Sequence, residues 1–440
     1  MTTNGDSPVA SSTSSRRSPD QGTTGGRLGA AAAFSAPIHE TTMHTLTIDD
    51  VLLKGKKVLV RVDFNVPMTP DMKVADDKRI IESLPTIRKI LSQGASVILM
   101  SHLGRPKGHP NPEFSLKPVA DYLSTLINRP VQFAKDCIGP EVHQMVDALK
   151  PGDILMLENL RYHPEEEAND EAFSKELASL GDVYVNDAFG TAHRAHASTE
   201  GITHFLRPAV AGYLMKKEID YLTSAVTNPA RPYLAILGGA KISGKIDVIQ
   251  NLLPKIDALV IGGGMAFTFL RAQGLEIGDS MVEEEKLDLA KDLLGQMAAQ
   301  HKRFILPVDC VIADRMENNA QRRVVPVTKI PPGWRGLDIG PETVKVINME
   351  VRRAKTIVWN GPMGVFEMPN FANGTLEVAR LLAEATKAGA KTIVGGGDSA
   401  AAVAKAGFET QISHVSTGGG ASLEFLEGRT LPGLAALAVG

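Results

Sequence analysis

From residue 44 onward, short unbroken runs of Val, Ile, Leu and Met alternate with longer stretches in which apolar positions recur every three or four residues. In the first half the runs are Val58–Val62, Val97–Met100, Ile154–Leu157 and Val183–Val185. In the second half they are Leu234–Leu237, Leu259–Ile261, Phe304–Leu306, Thr356–Trp359, Thr392–Val394 and Ile412–Val415. Runs of this length predict strands buried on both faces. The stretches Asp77–Gln93, Glu141–Leu149, Glu171–Leu180, Glu283–Gln300 and Thr375–Ala388 predict helices. Such alternation implies βαβ units, and the second half holds enough strands for a sheet of its own. The expected fold class is therefore α/β: two Rossmann-like domains, each a parallel β-sheet flanked by helices. Pro208–Leu222 reads as the helix joining them, with Ala211, Leu214, Met215 and Ile219 apolar and Lys216, Lys217, Glu218 and Asp220 polar. A helix in that place is a hinge. Asn228-Pro229 and Arg231-Pro232 then mark the entry to the second sheet.

The turns after the strands differ between the halves. In the first half they carry ionic and amide side chains: Asp63 and Asn65, His102 and Arg105, Arg161, then His193-Arg194-Ala195-His196. Arg79 opens a helix after Asp76-Asp77. Open α/β sheets bind ligands beyond the carboxyl ends of their strands. Arginine grips carboxylate or phosphate through paired hydrogen bonds, so this set suits a small polyanion. Asp63 and Asn65 would accept from a substrate hydroxyl. His193, His196 and Asp187 have a spacing reminiscent of a metal site, but nearby arginines would repel a cation.

In the second half the turns are mostly glycine: Gly238-Gly239-Ala240-Lys241 through Gly244-Lys245, Gly262-Gly263-Gly264, Gly395-Gly396-Gly397-Asp398-Ser399 and Ser416-Thr417-Gly418-Gly419-Gly420. Glycine lets backbone N–H groups approach phosphate closely, and a helix N-terminus adds favourable field. The first of these turns fails the Walker A spacing. Asp398 is placed to reach the metal ion of a bound nucleotide. After Trp359-Asn360-Gly361-Pro362, Val365 and Phe366 offer a base or ribose slot, and Glu367 an acceptor for ribose hydroxyls. Trp359 itself reads as core.

Composition adds few constraints. At 440 residues the chain exceeds one core. A net charge of −3 gives no general attraction to nucleic acid or to a membrane. The two cysteines, Cys137 and Cys310, fit no CxxC spacing and suggest buried thiols in a reducing, cytoplasmic setting. No apolar stretch reaches the roughly twenty residues of a membrane span. Residues 1–42 are rich in Ser, Thr, Gly and Ala with Arg16, Arg17 and Arg27, and read as a disordered extension. Their acidic residues argue against a transit peptide.

An anion half facing a nucleotide half suggests phosphoryl transfer. No kinase-type general base stands beside the acceptor turns. A carboxylate acceptor is already ionised at neutral pH and needs none. A nicotinamide-dependent dehydrogenase is the rival class, but no G-x-G-x-x-G with a downstream acid is present.

The motifs themselves carry a resemblance. Arg61-Val62-Asp63-Phe64-Asn65-Val66-Pro67, Ser101-His102-Leu103-Gly104-Arg105-Pro106, Leu157-Glu158-Asn159-Leu160-Arg161, Asn186-Asp187-Ala188-Phe189-Gly190, Leu237-Gly238-Gly239-Ala240-Lys241, Trp359-Asn360-Gly361-Pro362 and Gly395-Gly396-Gly397-Asp398 stand in order. Together they closely resemble phosphoglycerate kinases from about residue 44 onward. The resemblance implies reversible transfer between 1,3-bisphosphoglycerate and ADP, giving 3-phosphoglycerate and ATP, with Mg2+ on the nucleotide. It implies 3-phosphoglycerate contacts from Asp63, Asn65, Arg79, His102, Arg105, Arg161 and Arg194, and catalytic roles for Arg79, Lys241 and Lys245. For the nucleotide it implies Gly238, Gly239, Gly262, Gly263, Asn360, Gly364, Glu367, Gly395, Gly396, Gly397, Asp398 and Ser399, with Asp398 on the metal. Gly418, Gly419 and Gly420 match a helix N-terminus near the reacting group. Gly244 departs from the Asp of many relatives. The implied domains are 43–212 with the tail 427–440 returning to it, and 213–426, in a monomer that works by closing. A non-catalytic nucleotide-binding relative is disfavoured by the intact Arg79, Lys241 and Asp398.

Overall fold

In the first half, β1 (Lys57–Val62), β2 (Ser96–Met100), β3 (Gln132–Phe133), β4 (Ile154–Met156), β5 (Val183–Asp187) and β6 (Ala209–Ala211) form one sheet. Its order is β3-β4-β2-β1-β5-β6, and every pairing is parallel. This computed structural model describes residues 45–438, so the expected extension over residues 1–42 lies outside the described residues.

β1 shows why the apolar runs are unbroken. Val58, Val60 and Val62 pack on one face with Ile80, Leu84 and Ile87 of the helix Lys78–Ser92. Leu59 faces the other way, into a cluster with Tyr184 and Phe189. Both faces are covered, so both parities must be apolar. Full burial of each aliphatic side chain stabilises the fold by roughly 1.5–3 kcal/mol. The exception within the run is Arg61, which is 1% exposed.

The second half repeats the plan. β7 (Tyr233–Leu237), β8 (Ala258–Ile261), β9 (Arg303–Ile305), β13 (Thr356–Asn360), β14 (Lys391–Gly395) and β15 (His414–Val415) form a parallel sheet ordered β15-β14-β13-β7-β8-β9. Inserted between β9 and β13 is an antiparallel sheet of β10 (Asp309–Ala313), β11 (Arg322–Pro326) and β12 (Arg335–Ile339), which the hydrophobic pattern did not predict.

Register explains where the loaded turns end up. Arg61 pairs with Met100 and Asn186, so Asp63, His102 and Asp187 leave the first sheet at one edge. Leu237 pairs with Asn360 and Ile261, and Asn360 with Gly395, so the turns at Gly238, Gly262, Gly361 and Gly396 open in one row.

The connecting helix is shorter at its start than the sequence suggests. Ala209–Ala211 is strand β6 on β5, and the helix runs Tyr213–Thr227. The backbone N–H groups of Leu214 and Met215 donate to Asp187 Oδ1 (2.9 and 3.3 Å), which caps the helix. Its Glu218 is fully buried and accepts from Thr417 N (2.7 Å), Thr417 Oγ1 (2.9 Å) and His414 Nε2 (2.7 Å). That carboxylate ties the connecting helix to the end of β15. Beyond it, Leu431, Leu434 and Leu437 join the cluster that holds Ala192, and Gly433 N donates to Ala192 O (2.9 Å). Thr45 and Ala438 form an antiparallel bridge.

Candidate active site

The first-half side chains converge. Asp63, Asn65, Arg79, His102, Arg105, Arg161 and Arg194 all line one cavity of about 260 Å³. Gly418, Gly419 and Gly420, from the turn after β15, complete its wall. One anion site thus receives contributions from both halves.

Local hydrogen bonds fix the set. Arg79 Nη1 donates to Asp63 Oδ2 at 2.6 Å. Asn65 Oδ1 accepts from Gly104 N at 2.9 Å, which pins the turn carrying Arg105. Arg161 Nη1 donates to Gly104 O (3.0 Å), and its Nε lies 3.2 Å from Glu167 Oε1. Asn159 caps the turn that carries Arg161, accepting from Arg161 N at 3.0 Å. Arg105 and Arg194 stay exposed and uncommitted to an ion pair among the described residues. Burial, followed by the charges of Arg61, Arg161 and Arg79, holds the pKa of His102 well below the ordinary imidazole range. Burial, followed by the charges of Arg61, Arg161 and Arg194, pushes His196 down to about 4. Both rings are neutral at pH 7, so the cations of the site are its arginines.

The glycine turns of the second half surround a larger cavity of about 500 Å³. Of the residues expected there, Gly239, Gly263, Gly364, Glu367 and Asp398 line it, together with Met281, Val365 and the antiparallel sheet residues Arg335 and Leu337. Gly263 has φ +67°, and a Cβ there would lie 2.5 Å from Gly239 O and 2.9 Å from Pro362 O. Only glycine meets both demands. Asp398 sits in the first turn of the helix Gly397–Lys405, exposed and without a salt bridge among the described residues. Its carboxylate, on the cavity wall beside free helix N–H groups, fits a magnesium-bound polyphosphate.

Other expected residues support the cavity from behind. Gly238 and Gly262 are pressed against Pro362 and Met363. Gly395 and Gly396 face Asn360. Ser399 is fully buried, and its Oγ accepts from Gly361 N at 2.6 Å, so it braces the turn and does not line the cavity. Phe366 is 7% exposed and packs in the core, as does Trp359, whose Nε1 donates to Gly361 O at 2.8 Å. Lys241 is exposed beside Ala240, and a 3-10 turn, Ile242–Gly244, separates it from Lys245. Lys245 opens the helix Ile246–Leu252 and donates to Asn360 Oδ1; desolvation lowers its pKa.

His193, His196 and Asp187 form no three-ligand cluster among the described residues, and Asp187 Oδ1 caps the connecting helix. Among the described residues the one cluster of three metal-type ligands is Asp136, Cys137 and His163. There Cys137 is fully buried and His163 is satisfied by Asp136 at 2.7 Å.

The phosphoglycerate kinase family model matches residues 48–429. The chain belongs to the phosphoglycerate kinase family. It is 61% identical over 395 residues to the phosphoglycerate kinase of Chlorobaculum tepidum, covering 90% of this chain and 100% of that one. The corresponding protein of Chloroherpeton thalassium is 60% identical, with 90% and 99% covered. The structure of phosphoglycerate kinase from Coxiella burnetii aligns with a TM-score of 0.81 at 41% identity, covering 90% and 99% of the two chains. That from Pyrococcus horikoshii aligns at 0.76 and 33%, covering 89% and 98%. The two parallel six-stranded sheets are thus the phosphoglycerate kinase fold. Among the described residues no helix is long and apolar enough to cross a membrane.

Two features of this kinase-family site were missed in the sequence. Arg61 was read only as part of a motif, although a charge inside a buried strand demands a partner. Asp338, in the β12 strand that went unpredicted, lines the larger cavity and is pushed up to about 7 by burial.

Proposed function

We propose that the two cavities are the half-sites of a phosphoglycerate kinase: 3-phosphoglycerate or 1,3-bisphosphoglycerate in the arginine cavity, ADP or ATP in the glycine cavity. The observation that carries this reading is the convergence of seven separately placed polar side chains on one cavity whose wall also includes Gly418–Gly420 of the nucleotide half.

In the direction of ATP use, a carboxylate oxygen of 3-phosphoglycerate attacks the γ-phosphorus of ATP. The P–O bond to the β-phosphate breaks and ADP leaves with that electron pair. No proton moves, because the attacking carboxylate is ionised at pH 7. Catalysis then rests on positioning and charge. Arg105, Arg161 and Arg194 hold the distal phosphate and carboxylate, and Asp63 and Asn65 orient the acceptor. Arg79 stabilises the phosphoryl group in flight, its guanidinium already steered by Asp63 at 2.6 Å. Lys241 and Lys245 neutralise nucleotide phosphates. Glu367 accepts from the ribose. Mg2+ on Asp398 supplies further neutralisation of the polyphosphate when bound.

The two half-sites are completed by closure about the helix Tyr213–Thr227, which divides the chain into an acceptor domain, 43–212 with the tail 427–440, and a nucleotide domain, 213–426. The enzyme acts as a cytoplasmic monomer. A coupled assay with 3-phosphoglycerate and MgATP tests the function: turnover that disappears when either is omitted is expected, and no turnover overturns it.

A further inference from the structure

We propose that Arg61 is a positioning residue for the acceptor cavity: it holds His102 as the tautomer protonated on Nε2, so that the imidazole meets the substrate as a neutral hydrogen-bond donor. The tautomer rests on this structure alone, and the identity of the substrate rests on the function proposed above.

Arg61 does not line either cavity. It lies within β1, 1% exposed, and is the largest charged side chain that is fully buried. Each face of its guanidinium fork has a partner. Nε donates to Ser198 Oγ at 2.9 Å, Nη1 donates to Val62 O, and Nη2 lies 3.1 Å from His102 Nδ1. Guanidinium has donors and no acceptor. The third contact is therefore a hydrogen bond only if Nδ1 offers its lone pair, which leaves the ring proton on Nε2. Either the Nδ1–H tautomer or the imidazolium would set two donors against each other at 3.1 Å.

The charge of Arg61 is itself anchored. Ser198 Oγ donates to Glu166 Oε1 at 2.6 Å and Ser198 N to Glu166 Oε2 at 2.9 Å, with Glu166 fully buried. A cation held through a hydroxyl by a buried carboxylate cannot leave without stranding that carboxylate. Three arginines facing His102 disfavour a second proton; beside them stand the neutral ring of His196 and the Asp63 carboxylate, which Arg79 holds at 2.6 Å. Arg61 comes from β1, Arg79 from the helix Lys78–Ser92, Arg161 from the turn Leu160–Tyr162, and His196 from the loop before Ser198. With Nδ1 occupied, Nε2–H is the one group His102 can give to an anion in the cavity that it lines.

The experiment is a long-range ¹H–¹⁵N correlation spectrum of protein labelled at histidine, with His102 assigned by its loss in His102→Gln. The expected wild-type spectrum shows a single Nε2–H ring that does not titrate between about pH 5.5 and 8, the range in which an ordinary imidazole would. Adding 3-phosphoglycerate shifts the Nε2 signal. Arg61→Met gives mixed tautomers. It also raises KM for 3-phosphoglycerate by about tenfold, the loss of roughly one hydrogen bond, while KM for MgATP holds. Arg61→Lys, which keeps a donor, recovers part of the Nε2–H population.

An Nδ1–H ring in the wild type overturns the proposal, as does an unchanged, pure Nε2–H ring in folded Arg61→Met. If Arg61→Met does not fold, Arg61→Met with Glu166→Gln removes both buried charges, and the wild-type spectrum still decides the tautomer. A His102 signal that 3-phosphoglycerate leaves unmoved removes His102 from the acceptor site while leaving the tautomer standing.

Discussion

The two halves of this chain share a sheet plan and solve anion binding in opposite ways. The first half uses side chains: its cavity is walled by arginines that are steered by Asp63, Gly104 and Glu167. The second half uses the backbone: its cavity is walled by glycines packed so closely that Gly263 has no room for a methyl group. The difference suits the ligands proposed above. A small acid with a carboxylate and a phosphate needs discrimination among its ends, which forked guanidinium groups supply. A polyphosphate needs many equivalent donors along its length, which successive N–H groups supply without rotamer entropy. At Gly263 the glycine wall has no space for an added atom.

The largest effects should come where both halves act on the transferring group. Arg79→Ala and Lys241→Ala are each expected to lower kcat at least about a hundredfold with the fold intact by circular dichroism. Near-normal turnover in either would undo the roles given to the pair. Next, the halves should separate kinetically. Gly263→Ala is expected to raise KM for MgATP by about tenfold or more with KM for 3-phosphoglycerate unchanged, and Arg105→Ala to do the reverse. If one variant moves both constants equally, the sites are not independent.

The smallest effect concerns protons on side chains buried in the first half. His196 is lowered from 6.5 to about 4, so the native state favours its neutral form. The stability it contributes is complete above the unfolded pKa and is lost as pH falls towards the folded one. Between pH 7 and 6 that loss is roughly 0.7 kcal/mol. Asp187 runs the other way, since burial raises it to about 7 and its contribution declines as pH rises through that value. The difference between wild type and His196→Gln in urea unfolding at the two pH values isolates the histidine. An identical pH dependence in both proteins would show that His196 is not held neutral.

Most of the fold could be read from the chain because β strands buried on both faces leave an unmistakable trace. Val58–Val62 and Thr356–Trp359 lie within one residue of the observed strands. Three features escaped for different physical reasons. Ala209–Ala211 is small and apolar, so it extends a helical pattern as readily as it pairs with β5, and only that non-local pairing decides. β11 is an edge strand with the pattern RRVVP and mostly exposed side chains, so it carries no burial signal. The side chains that line the smaller cavity were legible because charge stands out at strand ends. Ser399 was misleading, since a serine beside a glycine turn looks the same whether its hydroxyl faces a ligand or braces Gly361.

The return of Leu431, Leu434 and Leu437 to the packing around Ala192 also sets an order of assembly. The ribosome delivers these residues only after the whole second sheet has been made. Until then the acceptor half has its complete sheet but an open seam beside Ala192, and Thr45 has no Ala438 to bridge. A chain emerging N-terminus first would therefore carry a nearly finished domain with one apolar groove uncovered for most of its synthesis. That interval is when the protein is most exposed to chaperones and to aggregation, and it closes with the arrival of one short C-terminal turn.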